Sequence, residues 1–511
     1  MTEQNQVESP AEAQAGTETP AKTTGKRRKV VGAVGVVVLL GIATAYVTIG
    51  RPVAKVGTGY VAKLLGSGVF VSGRKVEDVQ ATDLGWFWFI SASVDKDRRS
   101  ATASFLGVSQ TAIYRPGRGM TLLAGANEAE LRQAAPPVLP AVSEKPWPEG
   151  TRVELSQAPE GIDQARLQKA VEAAFVDANP EFPANTRAVV VCYRGKIVAE
   201  KYAEGFSAST PMLGWSMTKS VIAAVAGRLV QEGKLDPRQA VKLTDWKSES
   251  DPKAKLTVDQ LLRMSDGLDF REAYTGLNSD VVQMLFCRAD AAGFVASKPL
   301  AKAPDERWSY SSGTTNLLSR VLLEASGIQG PAASLYPRRL LFNPLGLTSA
   351  LIEVDARGTP IGSSFGYMTP RDWMRFGLFI QRDGVWDGER LLPEGWVEYC
   401  RTPTPKAPAG MYGAHWWLNA GDPNKPEKRW MPSLPRDVFA ARGYQGQSLT
   451  IFPSLDLVVL RLGLSSNGDR YWDLESFLKG VMDSLDEAAV KTAMEAEPAS
   501  GGLAGVTMPG N

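Results

Sequence analysis

The run Ser216–Gly233, SMTKSVIAAVAGRLVQEG, constrains this chain most. Its period is helical, yet Val221 to Gly227 carry no charge on any side. A helix that apolar all round is buried, so other elements must cover every face of it. The 511 residues suffice for one large domain or two to three ordinary ones. The flanking texture supplies the cover. "IDQARLQKAVEAAFVDA" reads as a helix, and "TRAVVVCYRGKIVAEKYAEG" as two strands joined at Arg194-Gly195. Further helical runs start at Thr257, Ser279 and Thr314. "GYQGQSLTIFPSLDLVVLRLGL" reads as two strands turning at Pro453-Ser454, and 473–487 as a last helix. Strands, helices, then strands and a terminal helix predict an α+β fold, an antiparallel sheet flanked by helices with an added helical region.

The ends read differently. Residues 1–25 are polar, lack aromatics and predict a disordered tail on the cytoplasmic side. Lys26-Arg27-Arg28-Lys29 precede Val30–Gly50, which carries no charge. Twenty-one such residues span about 30 Å as a helix, one bilayer core. The segment 26–50 is read as an uncleaved membrane anchor, the basic cluster holding the N-terminus inside. A cleaved signal peptide ending at Ala43-Thr44-Ala45 is the competing reading. Either exports the rest, to a periplasmic or extracytoplasmic position at the cytoplasmic membrane. Residues 51–150 read as accessory strands, "GVFVSGR" and "ATASFLG", and a Pro-rich linker. The main folded domain is expected over 151–487 and a flexible tail over 488–511.

Composition excludes several classes. Fifty-seven basic and 55 acidic side chains leave +2, which argues against nucleic acid as a partner. His415 is the one histidine, and Cys192, Cys287 and Cys400 lack metal-ligand spacing. No metal or cofactor is expected, and the thiols read as buried small hydrophobes, with at most one disulfide among them.

The chemistry centres on Ser216-Met217-Thr218-Lys219, an S-x-x-K motif. The same spacing recurs at Ser72, Ser93, Ser250 and Ser476, but only Ser216 opens a buried helix. Residues three apart share a helix face, so Lys219 can reach the Ser216 hydroxyl. A serine needs a base to become nucleophilic. Burial at a helix start lowers a lysine toward that role. The plainer alternative is that Ser216 only caps the helix. Tyr310-Ser311-Ser312 follows 94 residues later, ahead of the apolar helix "TTNLLSRVLLEASG", and Gly443-Tyr444-Gln445-Gly446-Gln447 precedes the strand "SLTIF".

In this order the three motifs resemble those of the class C β-lactamase-like, penicillin-recognising serine hydrolases, over roughly residues 160–487. The resemblance implies a β-lactamase/transpeptidase-like fold and an acyl-enzyme on Ser216. It implies a Tyr310 phenolate kept anionic by Lys219 as proton relay. Ser312 would line the substrate site, Tyr444-Gln445-Gly446 would overlie K-T-G, and the Gln447 N–H would join that of Ser216 in an oxyanion hole. The pattern is nearest the esterase and 6-aminohexanoate-dimer hydrolase branch. There "GLDFREAYTGLNSDVVQML" resembles a loop over the substrate, with Tyr274 as donor to the scissile amide. A small ester or linear amide is the implied substrate.

Rival readings remain open at this stage. One is a D-alanyl-D-alanine peptidase or β-lactamase of the envelope, another a non-catalytic cell-wall sensor on the same fold. A third is a Ser-Asp-His mechanism from Gly362-Ser363-Ser364-Phe365-Gly366, Asp372 and His415, although the flanking Gly358, Pro360 and Pro370 oppose the strand–turn–helix that mechanism needs.

Overall fold

The structure, a computed structural model, describes residues 40–508 apart from 42, 134–135, 154–158, 178, 180, 182, 247–249, 275–278 and 466–471. The expected cytoplasmic tail and residues 26–39 and 42 of the expected anchor lie outside them. The described remainder of the anchor, from Leu40, is helical and passes through a π-helical turn, Tyr46–Gly50. Among the described residues no helix is long and apolar enough to cross a membrane.

Val53–Asn511 forms one compact unit. It opens with the helix Arg51–Phe70, which corrects the strand expected at "GVFVSGR". That alternation is the helix C-terminus: Gly66, Ser67 and Gly68 are buried, as small residues that let the helix approach its neighbours closely. Within the helix Lys63 is buried and pairs with Glu353 at 2.8 Å. Glu353 also accepts from Ser67 Oγ at 2.8 Å and from the Met120 N–H at 2.7 Å. Strands β1 (Ser91–Asp95), β2 (Ser100–Phe105), β3 (Val108–Arg115) and β4 (Gly119–Leu122) form an antiparallel sheet in chain order. "ATASFLG" is thus β2 and its turn. Val61, Leu64 and Leu65 share one core with Ile352 and Phe365, so the segment after the apolar run is built into the main body.

The central sheet has six strands in the order β12-β13-β14-β15-β5-β6, all antiparallel. These are β5 (Thr186–Tyr193), β6 (Lys196–Tyr202), β12 (Trp417–Leu418), β13 (Phe439–Gly443), β14 (Gln447–Phe452) and β15 (Leu457–Gly463). Both faces are covered, which explains the unbroken apolar run AVVVCY in β5. Val189 and Val191 face the helices Gln164–Ala173 and Leu474–Met482, while Val190 and Cys192 face the larger core. That core holds the helices Met217–Gln231, Ser312–Ala325 and Pro370–Gln381. Two smaller sheets complete the unit: β7 (Met212–Leu213), β9 (Gly366–Met368) and β8 (Leu351–Ile352) in that order, and the hairpin β10 (Val385–Trp386) with β11 (Glu389–Arg390).

The C-terminus departs from expectation too. A second helix, Glu487–Met494, follows Leu474–Met482, Val506 is buried, and the Thr507 N–H donates to the Glu394 carbonyl. Apolar side chains among its alanines and glycines give the tail something to bury, so its described part packs. The run from Thr257 yields only a short helix, Val258–Leu262, ending at Met264 with φ +59°. All three cysteines are free and buried.

Candidate active site

The chain enters the buried helix through Trp215, whose φ of +47° is left-handed. A residue with a Cβ pays on the order of 1–2 kcal/mol there. Ser216 follows with helical backbone angles and makes no cap hydrogen bond, so the capping alternative fails. Its Oγ instead accepts from Lys219 Nζ at 3.0 Å. Lys219 Nζ also donates to Ser312 Oγ at 3.1 Å and to the Ser363 carbonyl at 2.9 Å. Burial depresses its pKa from 10.5 to about 8, against the carboxylate of Glu272, which raises it. A depression of that size is worth on the order of 3 kcal/mol. A buried helix, three neutral oxygens and no adjacent carboxylate bond make that depression possible.

The second motif lies where Ser311 caps the helix Ser312–Ala325 by accepting from the Thr314 N–H. This brings Tyr310 under Lys219, whose ammonium sits 4.9 Å from the ring centroid. Burial pushes the Tyr310 phenol well above its ordinary value, and its hydrogen bond with Ser216 offsets only part of that. Burial therefore favours a protonated Tyr310 at rest over the phenolate that the family resemblance implies. Between a buried phenol and a lysine at about 8, the lysine loses its proton first. Ser312 donates through Oγ to Glu272 at 2.6 Å and through N–H at 2.8 Å, and Tyr274 OH donates to the same carboxylate at 2.9 Å.

The third motif forms a tight turn, Tyr444–Gly446, between β13 and β14. Gly443 ends β13 directly against the turn that carries Ser216, since a Cβ there would lie 2.1 Å from the Gly214 carbonyl oxygen. Gln445 has φ +64° and Gly446 φ +77°. Three groups hold this shape. Gln445 Oε1 accepts from Trp215 Nε1 at 3.1 Å, and the buried Arg461 donates to the carbonyls of Gln445 and Gly446. The Gln447 side chain donates to the Gly463 carbonyl at 2.6 Å and accepts from the Gly463 N–H at 2.9 Å. Gln447 thus offers the site only its backbone, opposite Gly443 in the strand register. Tyr444 is 48% exposed, stacked on Tyr274 at 6.0 Å and edge-on to Trp215 at 5.6 Å. Trp417 stands 5.3 Å from Tyr310, whereas Trp416, just ahead of β12, packs inward against Phe439 at 5.1 Å.

Ser216, Lys219, Tyr310, Ser312, Tyr274 and Tyr444, singled out from the sequence, lie in one neighbourhood. Glu272, two residues before Tyr274 in the same loop, and the Ser363 carbonyl join them without a side-chain motif to reveal them. The Ser-Asp-His rival does not assemble. His415 has φ +63°, and its ring bonds Thr315 and the Leu262 carbonyl. Asp372 bonds Arg375 and Ser349, and Ser364 Oγ shares a bond with Ser363 Oγ at 2.8 Å.

A family model described as beta-lactamase matches residues 181–471, more than half of the chain. The chain belongs to the beta-lactamase family. This family is one of serine hydrolases, and its matched span holds all three motifs. The 6-aminohexanoate-dimer hydrolase of Paenarthrobacter ureafaciens is 26% identical over 313 residues, covering 56% of this chain and 75% of that protein. A penicillin-binding protein homolog from Caulobacter crescentus is similar at 18% identity, TM-score 0.49, over 66% of this chain and 99% of that one. A beta-lactamase from Mycobacterium bovis is similar at 16% identity, TM-score 0.44, over 62% and 99%.

Proposed function

We propose that this beta-lactamase-family chain hydrolyses small esters or linear amides through an acyl-enzyme on Ser216. The observation that carries the reading is the Lys219 amine, buried, lowered to about 8 and bonded at once to Ser216 Oγ and Ser312 Oγ. Neutral Lys219 takes the Ser216 proton as Oγ attacks the carbonyl carbon. The backbone N–H groups of Ser216 and Gln447 receive the developing oxyanion. Tyr310, protonated at rest, passes a proton to the leaving group and recovers one as water attacks the acyl-enzyme. Tyr274, whose hydroxyl rests on Glu272, turns from that carboxylate to donate to the scissile amide.

The substrate preference follows from Tyr444. Where the family's K-T-G carries a cation for a substrate carboxylate, Tyr444 offers an aromatic face and a neutral hydroxyl. A charge-assisted bond is roughly twice as strong as a neutral one, so anionic substrates lose most. The nearest cation on this strand, Arg442, lies 3.6 Å from the Trp430 ring centroid. Short neutral acyl groups are the expected preference. The test compares kcat/KM for p-nitrophenyl butyrate and a chromogenic cephalosporin, alongside labelling by a fluorophosphonate. Ser216→Ala should lose both labelling and turnover by about three orders of magnitude or more while keeping its fold. A better cephalosporin rate would overturn the preference, and normal turnover by Ser216→Ala the mechanism.

We also propose, from Lys26–Lys29 and the uncharged residues 30–50, that the chain is anchored in the cytoplasmic membrane with the hydrolase outside. A C-terminal reporter that works only outside the cytoplasm should be active. A reporter active only inside would reverse the topology.

A further inference from the structure

We propose that the aromatic ridge at Trp86, Trp88 and Phe89 rests on the surface of a lipid bilayer. This inference depends on the anchoring proposed for residues 30–50. From Leu84 to Val94 the chain carries no charge. Leu84 and Ile90 of this run are buried, and the Phe87 ring lies 4.9 Å from Tyr60 on the helix Arg51–Phe70. Those contacts fix the turn, and the remaining rings are held outward. Trp86 is 88% exposed, Trp88 85%, Phe89 46% and the neighbouring Leu106 53%. Phe89 sits edge-on to Phe105 at 5.2 Å and Trp88 edge-on to Phe89 at 5.9 Å. The ridge is a braced surface of large rings rather than scattered apolar residues, and such patches mark contact sites.

Chain length and charge favour a bilayer as the occupant. Gly57, where a Cβ would meet Ile90 Cδ1 at 2.9 Å, follows Arg51 by only six residues, and Arg51 is the first charge after the apolar run. Even fully extended, six residues reach only about 20 Å. A chain anchored by residues 30–50 therefore cannot carry the ridge far from the lipid surface. The charges of the helix Arg51–Phe70 are Arg51, Lys55 and Lys63, all basic, and Lys55 is exposed. Basic side chains beside a membrane favour anionic headgroups. Indoles suit that depth, with the ring among acyl carbons and the N–H among polar groups.

The experiment uses the full chain in vesicles of phosphatidylcholine and phosphatidylglycerol. Because Cys192, Cys287 and Cys400 are buried, Trp88→Cys takes a bimane label selectively, and Glu389→Cys on the β10–β11 hairpin serves as the comparison. The label at 88 should shift to the blue and be quenched several-fold by nitroxide lipids, while that at 389 should not respond. Trp86→Ala with Trp88→Ala should leave ester hydrolysis within about two-fold, since both rings are exposed and outside the catalytic groups. A chain that floats with the vesicles but keeps a water-like label at 88 overturns the ridge and leaves the anchor intact. A chain that does not float overturns both. A blue shift that follows protein concentration without lipid makes the ridge a self-association surface, and overturns the inference.

Discussion

At the residue scale, the proton inventory of the site sets its pH behaviour. In the proposed mechanism acylation needs neutral Lys219, so its rate should climb roughly tenfold per pH unit below about 8 and level off above. Glu272 raises the Lys219 pKa, so Glu272→Gln should move the midpoint to lower pH. Pre-steady-state acylation rates across pH measure both, and a midpoint that rises in the variant would contradict the assignment of Lys219 as base. Ser216 and Lys219 were legible because the S-x-x-K spacing and the apolar helix speak together. Glu272 was not, because a carboxylate in a loop has no periodic signal, and only the fold brings it within 2.6 Å of Ser312 Oγ. The ionisation of Tyr310 is not legible in the sequence for a related reason. Burial decides it, and burial is a property of the packed core rather than of the tripeptide.

At the scale of elements, the strands and helices around the core announced themselves by alternation and period, including the β5–β6 hairpin at Arg194-Gly195. The helix Arg51–Phe70 did not, because its four glycines weaken a helical reading while serving close packing. Its buried Lys63–Glu353 pair reaches the site by a short route. Glu353 exchanges backbone bonds with Phe365 and Ile361, and between those residues lies Ser363, whose carbonyl holds Lys219. Removing one partner of a buried pair strands the other, at about 3–5 kcal/mol. Lys63→Ala should lower unfolding stability by that amount in denaturant titration. It should also lower kcat, since the segment that bonds Lys219 loses its support. A variant as stable as the parent would show that Glu353 is satisfied by Ser67 and Met120 alone.

At the scale of the whole molecule, the layered α+β architecture was predictable from the order of elements, but the extent of the folding unit was not. Composition marked 51–150 as separate, through its prolines and short alternating runs. Packing joins it to the rest, with Val61, Leu64 and Leu65 in one core with Ile352 and Phe365. A fragment of residues 151–511 should therefore be insoluble or inactive, whereas 51–511 should hydrolyse esters at the rate of the full chain. Equal soluble yield and activity from the shorter fragment would show that the helix is dispensable. The placement of Lys63 also bears on inheritance. The stretch that carries the family likeness, residues 181–471, cannot be exchanged between genes as a self-sufficient cassette. A recombination point inside the Pro-rich stretch near 140, harmless by its look, would separate a buried lysine from its carboxylate, so the residues before it and the hydrolase after it must be selected together.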